Sequence, residues 1–264
     1  MTINNTMLPS PHKILNVVQE TRAEYTFRVA CEIESAHGQF FQLSIPKVGE
    51  APISVSARGD GWVEFTIRKV GRLTEGVFGL RDGDTLFMRG PYGNSFPMET
   101  FRNRDLAVIA GGTGLAAVRS LLNHYCERPG EIRSLHLIAG FKDIYSVLFT
   151  EDLEKFKSRF NVICTLDDTK AEGYEIGLPT GYIKNIPFDG FEDYNVVVVG
   201  PPAMMRIAAE ECLARGARES KIWLSFERKM SCAIGKCGHC KINETYVCVD
   251  GPIFNYTTAR GMID

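Results

Sequence analysis

The chain has 264 residues, of which 44% are hydrophobic, and its formal net charge at pH 7 is −2. This length allows two domains or one large domain with a sizeable core. Dispersed basic residues argue against a nucleic-acid-binding protein. The N-terminus has no charged segment followed by an apolar run, and no window is apolar enough to span a membrane, so we expect a cytoplasmic protein without a membrane span.

Short strands dominate the first hundred residues. Six segments rich in Val, Ile, Phe and Thr, with turn residues between them, predict strands at 14–21, 24–33, 39–46, 52–57, 62–70 and 84–90. Their close spacing predicts a small antiparallel β-barrel. Residues 73–80, LTEGVFGL, interrupt the series and predict a short helix.

From about residue 105 the pattern changes to strands that alternate with helices. The predicted strands are DLAVIA, SLHLIAGF, NVICTLDD, VVVVG and KIWLSFE. This alternation predicts a parallel sheet with helical crossovers. We predict three regions: a barrel over 1–100, an α/β domain over 101–222 and a cysteine-containing region over 223–264.

Two glycine-containing turns follow strands of the α/β domain. The first leads from DLAVIA into a helix and, with Ala117, fits G-x-G-x-x-A: Gly111, Gly112, Thr113 and Gly114. Such a turn lets a pyrophosphate approach backbone N–H groups at a helix N-terminus, although a tight turn without a ligand also needs glycine. No acidic residue ends the second strand, so a site of another lineage than the Rossmann fingerprint is implied. The second turn follows VVVVG at the same edge, and a simple turn is its alternative: Gly200, Pro201 and Pro202.

Four cysteines crowd the segment 231–248: Cys232, Cys237, Cys240 and Cys248. The C-x4-C-x2-C order is the plant-type [2Fe–2S] spacing, although the fourth cysteine follows sooner than in plant ferredoxins. Zinc sites usually present two separated C-x2-C pairs, and zinc is the alternative. We interpret His239 as a solvent-facing loop residue. The remaining cysteines are scattered and are expected to be buried and inert: Cys31, Cys126, Cys164 and Cys212.

This order of elements, a β-barrel followed by an α/β domain that starts with GGTG and ends with GPPAMM, resembles the ferredoxin reductase superfamily. With SFERKMSCAIGKCGHC (225–240), the chain resembles the iron–sulfur flavoprotein subunits related to the dihydroorotate dehydrogenase electron-transfer subunit. GQFFQLSIPKVGEAPISVS (38–56), GPYGNSF (90–96) and YVCVDGPIFNY (246–256) resemble most the B subunits of anaerobic sulfite reductases.

The resemblance implies three cofactors: FAD in the barrel, NADH or NADPH in the α/β domain, and a [2Fe–2S] cluster on the four cysteines. The matching positions of the FAD site are Pro52, Ile53, Ser54, Ile67, Arg68, Lys69, Leu73 and Thr74. An ordinary strand is the alternative for the first of these stretches. The usual arginine of the flavin motif is Ala51 here, and Arg68 and Lys69 could compensate for it. Val199 stands where many relatives have a cysteine.

These parts imply an electron-transfer subunit without a general acid or base. Flavin is required because NAD(P)H donates hydride whereas the cluster accepts one electron at a time. We predict a hetero-oligomer in which the electrons reach the catalytic subunits of an anaerobic sulfite reductase. The same module could instead serve a hydrogenase or a dihydroorotate dehydrogenase. A zinc-stabilised nucleotide-binding module without electron transfer is the third alternative.

Two finer predictions concern the nucleotide and the tail. The strand NVICTLDD ends in Asp167 and Asp168, whose charge would repel a 2′-phosphate, so NADH is predicted over NADPH; nearby Lys142 and Arg206 could act oppositely. Phe254 and Tyr256 lie in a polar tail, where they suit a partner interface. Packing of the tail back onto the domain is the alternative.

Overall fold

In the computed structural model, which describes residues 7–262, the chain divides into two compact units. One unit contains the described residues up to Ser95 together with Glu227–Pro252. The other contains Phe96–Phe226 and the chain from Ile253 onward. This division groups residues by their contacts and does not test where independently folding domains begin and end. The bounds of the three predicted regions therefore stay a prediction.

Six strands of the first unit form a closed barrel: β1 (Ser10–Gln19), β2 (Glu24–Ala30), β3 (Phe40–Ile45), β4 (Gly49–Gly59), β5 (Trp62–Arg68) and β6 (Thr85–Tyr92). They pair antiparallel around the barrel in the order β1-β2-β5-β4-β3-β6. The predicted short helix is α1 (Arg72–Val77), which follows β5. The predicted antiparallel barrel is confirmed.

Alternating residues fill the interior of the barrel. Phe27 and Val29 on β2, and Val63, Phe65 and Ile67 on β5, are all buried in one cluster. Successive side chains of a strand point to opposite faces, so a period of two places every second residue inside. The apolar alternation that is visible in the sequence is therefore the alternation that closes the barrel around its core.

The second unit contains a sheet and its connections. Its strands up to residue 225 are β7 (Asp105–Gly111), β8 (Ser134–Phe141), β9 (Asn161–Leu166), β10 (Glu175–Ile176), β11 (Tyr194–Val199) and β12 (Ile222–Ser225). The α-helices in this part are α2 (Met98–Phe101), α3 (Gly114–Glu127), α4 (Thr150–Lys157) and α5 (Pro202–Ala214). Short 3-10 helices span Pro129–Glu131, Ile144–Ser146, Pro179–Asn185, Phe188–Gly190 and Glu219–Lys221.

The end of the chain contributes to both units. In the first unit it forms β13 (Lys241–Ile242), β14 (Thr245–Tyr246) and α6 (Val247–Asp250). In the second unit it forms β15 (Ile253–Asn255) and α7 (Tyr256–Ala259). β13 pairs antiparallel with β14, and β15 pairs antiparallel with β12.

The sheet of the second unit has the strand order β10-β9-β8-β7-β11-β12-β15, and all pairs except the last are parallel. Every residue of β7 and β11 is buried, as expected for strands that are covered on both faces. This confirms the predicted parallel sheet. Within residues 7–262, no helix is both long and apolar enough to cross a membrane.

The tail packs onto the second unit. Phe254 and Tyr256 are 6% and 8% exposed, and the ring of Phe254 meets Phe226 edge to face with centroids 5.6 Å apart. Phe254 lies opposite Leu224 in the pairing of β15 with β12. The interpretation of these aromatic residues as a partner interface is therefore wrong, and the packing alternative is correct. The reason is that the tail supplies a strand to the edge of the sheet, which is not visible in its local composition.

Candidate functional site

The two glycine-containing turns lie at the carboxyl ends of adjacent strands. Residues 111–114 connect β7 to α3, and residues 200–202 connect β11 to α5. β8 and β9 lie on one side of β7 and β11 on the other, so the strand order reverses between β7 and β11. Open α/β sheets bind ligands at such a switch point, outside the carboxyl ends of their strands. The fold thus brings the two predicted turns to the place where a nucleotide would bind.

The glycines of the first turn have different environments. Gly112 has φ of +54° and no neighbouring atom within 4 Å of the position that a Cβ would occupy. This leaves its backbone open to a ligand. A Cβ at Gly114 would lie 2.7 Å from the carbonyl oxygen of Val199, so glycine is needed there for close packing of α3 on β11. The tight-turn interpretation therefore applies at Gly114, whereas the binding of a pyrophosphate by this turn stays a prediction.

Charged residues follow the next two strands of this sheet. Lys142 follows β8, and Asp167 and Asp168 follow β9; all three are exposed. Desolvation by neighbouring protein atoms, and then the charge of Asp168, raises the pKa of the Asp167 carboxyl although the residue is exposed. The positions of these residues after β8 and β9 do not test the preference for NADH over NADPH, which stays a prediction.

In the barrel, the predicted flavin motif lies where β4 changes partners. The first half of β4, up to Ser54, pairs with β3, whereas its pairing with β5 begins only at Val55. The edge of Pro52–Ser54 that faces β5 is therefore not used in that ladder. A strand edge of this kind presents backbone donors and acceptors to a ligand.

The other predicted flavin-site residues follow β5. Ile67 is buried in the barrel core, whereas Arg68 and Lys69 are exposed, and the Arg68 Nε lies 3.3 Å from Glu24 Oε1. Thr74 Oγ1 accepts hydrogen bonds from the N–H groups of Val70 and Gly71, and it donates to the Gly71 carbonyl. The Thr74 hydroxyl thus holds the turn in shape. Leu73 packs against the barrel core.

A cavity of about 540 Å³ lies at the position of the missing motif arginine. Its lining includes Ala51 and Pro52 of β4 together with residues of the segment before the cysteines: Glu50, Ala51, Pro52, Lys229, Met230 and Ser231. Lys229 is exposed and makes no hydrogen bond or ion pair within residues 7–262. Sequence reasoning missed this residue, because Lys229 is distant in the chain from Ala51 and Pro52, beside which it lies. The only feature of the sequence that could have indicated Lys229 is that it is a lysine in the segment SFERKMSC, just before the first clustered cysteine.

The four clustered cysteines lie in one loop region of the first unit. Cys240 and Cys248 are buried, Cys232 is partly buried and Cys237 is exposed. Backbone N–H groups point at their sulfur atoms: Lys236 and Cys237 donate to Cys232 Sγ at 3.3 and 3.4 Å, and Gly235 donates to Cys248 Sγ at 3.3 Å. N–H groups that point at sulfur stabilise thiolates, the form that binds metal.

The clustered cysteines influence one another's pKa values. Hydrogen bonds from the backbone of His239 and Cys232, and from the Cys232 side chain, lower the pKa of Cys237 to about 7. Burial, and then the neighbouring Cys240 thiol, raises the pKa of Cys248 to about 12. Cys237 thus interacts with Cys232, and Cys248 interacts with both Cys240 and Cys232. His239 is exposed, which confirms its interpretation as a solvent-facing residue.

These thiols fit an iron–sulfur cluster. Four cysteine thiolates hold a [2Fe–2S] cluster, and this segment supplies four free cysteines. Among residues 7–262, no three His, Cys, Asp or Glu side chains are grouped closely enough to hold one metal ion. A bound cluster would supply one-electron transfer here, with Cys232, Cys237, Cys240 and Cys248 as its ligands.

The four scattered cysteines are all buried and free, as predicted. Burial raises the pKa of Cys164 to about 11 and that of Cys212 to about 12. It also raises the pKa of Cys31. Thiolate is the reactive form, so Cys31, Cys164 and Cys212 are inert at neutral pH.

Two family models match the chain. Residues 227–259 match the iron–sulfur cluster binding domain of dihydroorotate dehydrogenase B, and residues 108–210 match the oxidoreductase NAD-binding domain. The cysteine segment is therefore an iron–sulfur domain, which favours a cluster over the zinc alternative. The second match confirms that the α/β domain is of the NAD-binding class.

Several relatives match this chain over most of its length. The sulfhydrogenase 2 gamma subunit of Pyrococcus furiosus is 34% identical over 86% of this chain and 86% of its own length. The sulfhydrogenase 1 gamma subunit of the same organism is 35% identical, with coverage of 86% and 82%. The probable dihydroorotate dehydrogenase B (NAD(+)) electron transfer subunit of Thermococcus kodakarensis is 30% identical, with coverage of 95% and 97%.

Solved structures share the fold. An NADH-dependent reduced ferredoxin-NADP oxidoreductase superposes with a TM-score of 0.80 at 20% identity, over 96% of this chain and 89% of its own. A ferredoxin NADP+ reductase from Neisseria gonorrhoeae, solved with FAD and NADP, gives 0.71 at 19% identity over 82% and 97%. The fold is thus ferredoxin-reductase-like, as the resemblance implied.

Proposed function

The chain belongs to the family of the sulfhydrogenase gamma subunits and the dihydroorotate dehydrogenase B electron transfer subunits, and we propose that it passes electrons from NADH through FAD and a [2Fe–2S] cluster to a partner oxidoreductase. One observation carries the proposal. A single chain with a ferredoxin-reductase-like fold contains both an NAD-binding segment and an iron–sulfur segment. FAD connects the two because it accepts hydride and releases single electrons.

The chain's own residues bind and orient these groups in the proposed function. The turns at residues 111–114 and 200–202 hold the nucleotide at the switch point of the sheet. The edge of Pro52–Ser54 holds the flavin, and the four clustered cysteines hold the cluster. We assign no side chain the role of a general acid or base.

We propose a hydrogenase-type catalytic subunit as the partner. The two sulfhydrogenase gamma subunits match at 34% and 35% identity, against 30% for the dihydroorotate dehydrogenase subunit described above. The comparisons give no support to the predicted sulfite reductase partner, which rested on short segments such as GPYGNSF. The likeness to a hydrogenase subunit therefore outweighs it. A hetero-oligomer is proposed with any of the three partners, namely a hydrogenase, a dihydroorotate dehydrogenase or a sulfite reductase.

Reconstitution tests the function and the partner in one series. Anaerobically purified chain should contain FAD and about two irons per chain, and it should reduce an artificial dye with NADH. Catalytic subunits of a hydrogenase, a dihydroorotate dehydrogenase and a sulfite reductase are then added separately, and the respective product is measured. We expect NADH-dependent hydrogen formation with the first. Absence of dye reduction refutes the function, whereas coupling only to sulfite reductase refutes the choice of partner.

We also propose that Lys229 supplies the cation that Ala51 lacks. Its side chain lines the cavity beside the flavin motif, and it has no competing partner among the described residues. A charge-assisted hydrogen bond to a phosphate contributes about 1.5–3 kcal/mol, so Lys229→Met should weaken FAD binding about tenfold or more. Lys47→Met, an exposed lysine of the same unit, is the matched control. Equal FAD dissociation constants for the two variants would exclude this role.

A further inference from the structure

A buried arginine on the barrel contacts the cluster-binding segment. Arg89 lies on β6, and only 4% of its side chain is exposed. No motif in the sequence includes it, and its nearest contacts in the segment lie 142 and 143 positions further along the chain. A charged side chain is almost never buried to this extent without partners. Its contacts therefore indicate what it does.

All five N–H groups of Arg89 have acceptors available. Nε and Nη2 donate to the two carboxylate oxygens of Glu50 at 2.8 and 2.6 Å. Nη2 also donates to the Ser231 carbonyl at 2.7 Å, and Nη1 donates to the Cys232 carbonyl at 2.8 Å and to the Tyr92 hydroxyl at 3.0 Å. A fork of five donors in one plane is a property of arginine that lysine cannot reproduce.

The guanidinium stays charged in this environment. Arginine is not deprotonated in proteins, and the Glu50 carboxylate, 2.6 Å from Nη2, stabilises the positive charge. A fixed positive charge thus lies one carbonyl group from a cluster ligand, and the Glu50 carboxylate balances it. Charge and hydrogen bonding around a cluster set its reduction potential.

We propose that Arg89 is a positioning residue that fixes the first cluster ligand, Cys232, against the barrel and, together with Glu50, sets the reduction potential of the cluster. This rests on the proposed function, because it requires a cluster on the four cysteines. Arg89 favours the reduced cluster, which is more negative, and Glu50 disfavours it. Removal of the Arg89 charge should therefore lower the reduction potential, and removal of the Glu50 charge should raise it.

The test compares three variants by redox titration of the cluster, followed by electron paramagnetic resonance of the intact, anaerobically purified chain. Arg89→Met should lower the midpoint potential, and Glu50→Gln should raise it. Arg28→Met is the matched control, because Arg28 forms a similar pair with Glu64 on the same barrel, with Nη2 2.7 Å from Oε1. It should leave the potential unchanged. Shifts of the same sign for Arg89→Met and Glu50→Gln, or no shift in either, would overturn the proposal.

Two further measurements separate the possible failures. If Arg89→Met cannot be purified folded, Arg89→Lys replaces it. The lysine variant keeps the positive charge but loses the planar fork of donors. Glu50→Gln must still raise the reduction potential of the cluster. If the unaltered chain contains no iron, the proposed function fails. The positioning role is then judged by hydrogen exchange of amides 232–237 in the intact chain. Faster exchange in Arg89→Lys than in Arg28→Met supports that role, and equal exchange refutes it.

Discussion

The tail offers a direct test of packing against partner binding, through the substitution Phe254→Ala. Phe254 is 6% exposed and meets Phe226 edge to face. Removal of a buried phenylalanine side chain costs about 3–5 kcal/mol. We expect about 3 kcal/mol, the lower end, because β15 is an edge strand whose site can partly collapse. At about 2–4 °C per kcal/mol for a unit of this size, Tm should fall by roughly 6–12 °C.

Urea unfolding of the anaerobically purified chain measures this change in the free energy of unfolding. Trp223 on β12 lies opposite Asn255 on β15, so its fluorescence reports on the region that is perturbed. The sequence has two tryptophans, and a W62F background leaves Trp223 as the reporter. Ile176→Ala is the control, since Ile176 is 52% exposed in the same unit and its truncation should cost no more than about 0.5 kcal/mol.

One result would refute the reasoning. If Phe254→Ala unfolds at the same urea concentration as Ile176→Ala but delivers fewer electrons to the partner, the ring acts at an interface. If instead stability falls and dye reduction with NADH falls with it, the ring belongs to the core of the second unit.

The remaining predictions concern the cluster, the nucleotide and pH. Cys248→Ser should lose most of the iron, measured by metal analysis, and keep FAD; stoichiometric zinc in the unaltered chain would contradict this. NADH should reduce the flavin faster than NADPH, and the double variant Asp167→Asn/Asp168→Asn should bring the two rates of flavin reduction closer together. A faster rate with NADPH in the unaltered chain would refute the predicted preference for NADH. The pKa of the Asp193 carboxyl is lowered, mainly because Lys221 donates a hydrogen bond to it. The carboxylate therefore stabilises the fold above the unfolded-state pKa of about 3.9, and this stabilisation is lost as pH falls through the lower pKa of the folded state. Asp193→Asn should therefore be less stable than the unaltered chain at pH 7, by up to about 1 kcal/mol, and equally stable in strong acid; an equal difference at both pH values would contradict this.

Local patterns in the sequence were sufficient for much of the fold. Phe65 and Ile67 alternate with polar neighbours because a strand has a period of two, and the same period closes the barrel. VVVVG predicted a strand of a parallel sheet, and β11 is one, buried along its whole length. The spacing of Cys232, Cys237 and Cys240 predicted an iron–sulfur segment. This was possible because these ligands are near neighbours in the chain, so the geometry of their loop is local.

The choice of partner was not determined in this way. Short segments such as GPYGNSF suggested a sulfite reductase subunit, whereas the comparison over most of the chain favours a hydrogenase subunit. The NAD-binding and iron–sulfur segments are shared by subunits that serve different enzymes. Partner choice depends on surface shape and charge, to which a cofactor motif contributes little.

Only the tertiary structure decided the contacts between residues that are distant in the chain. It placed Lys229 beside Ala51, Arg89 against the Cys232 carbonyl, and Phe254 on the edge of the sheet. Periodicity and motif spacing report on neighbours within a few residues, because they reflect the geometry of one strand, helix or loop. Contacts between distant segments arise only when the folded elements pack, and these contacts give a lysine, an arginine or a phenylalanine a role that its own segment does not reveal.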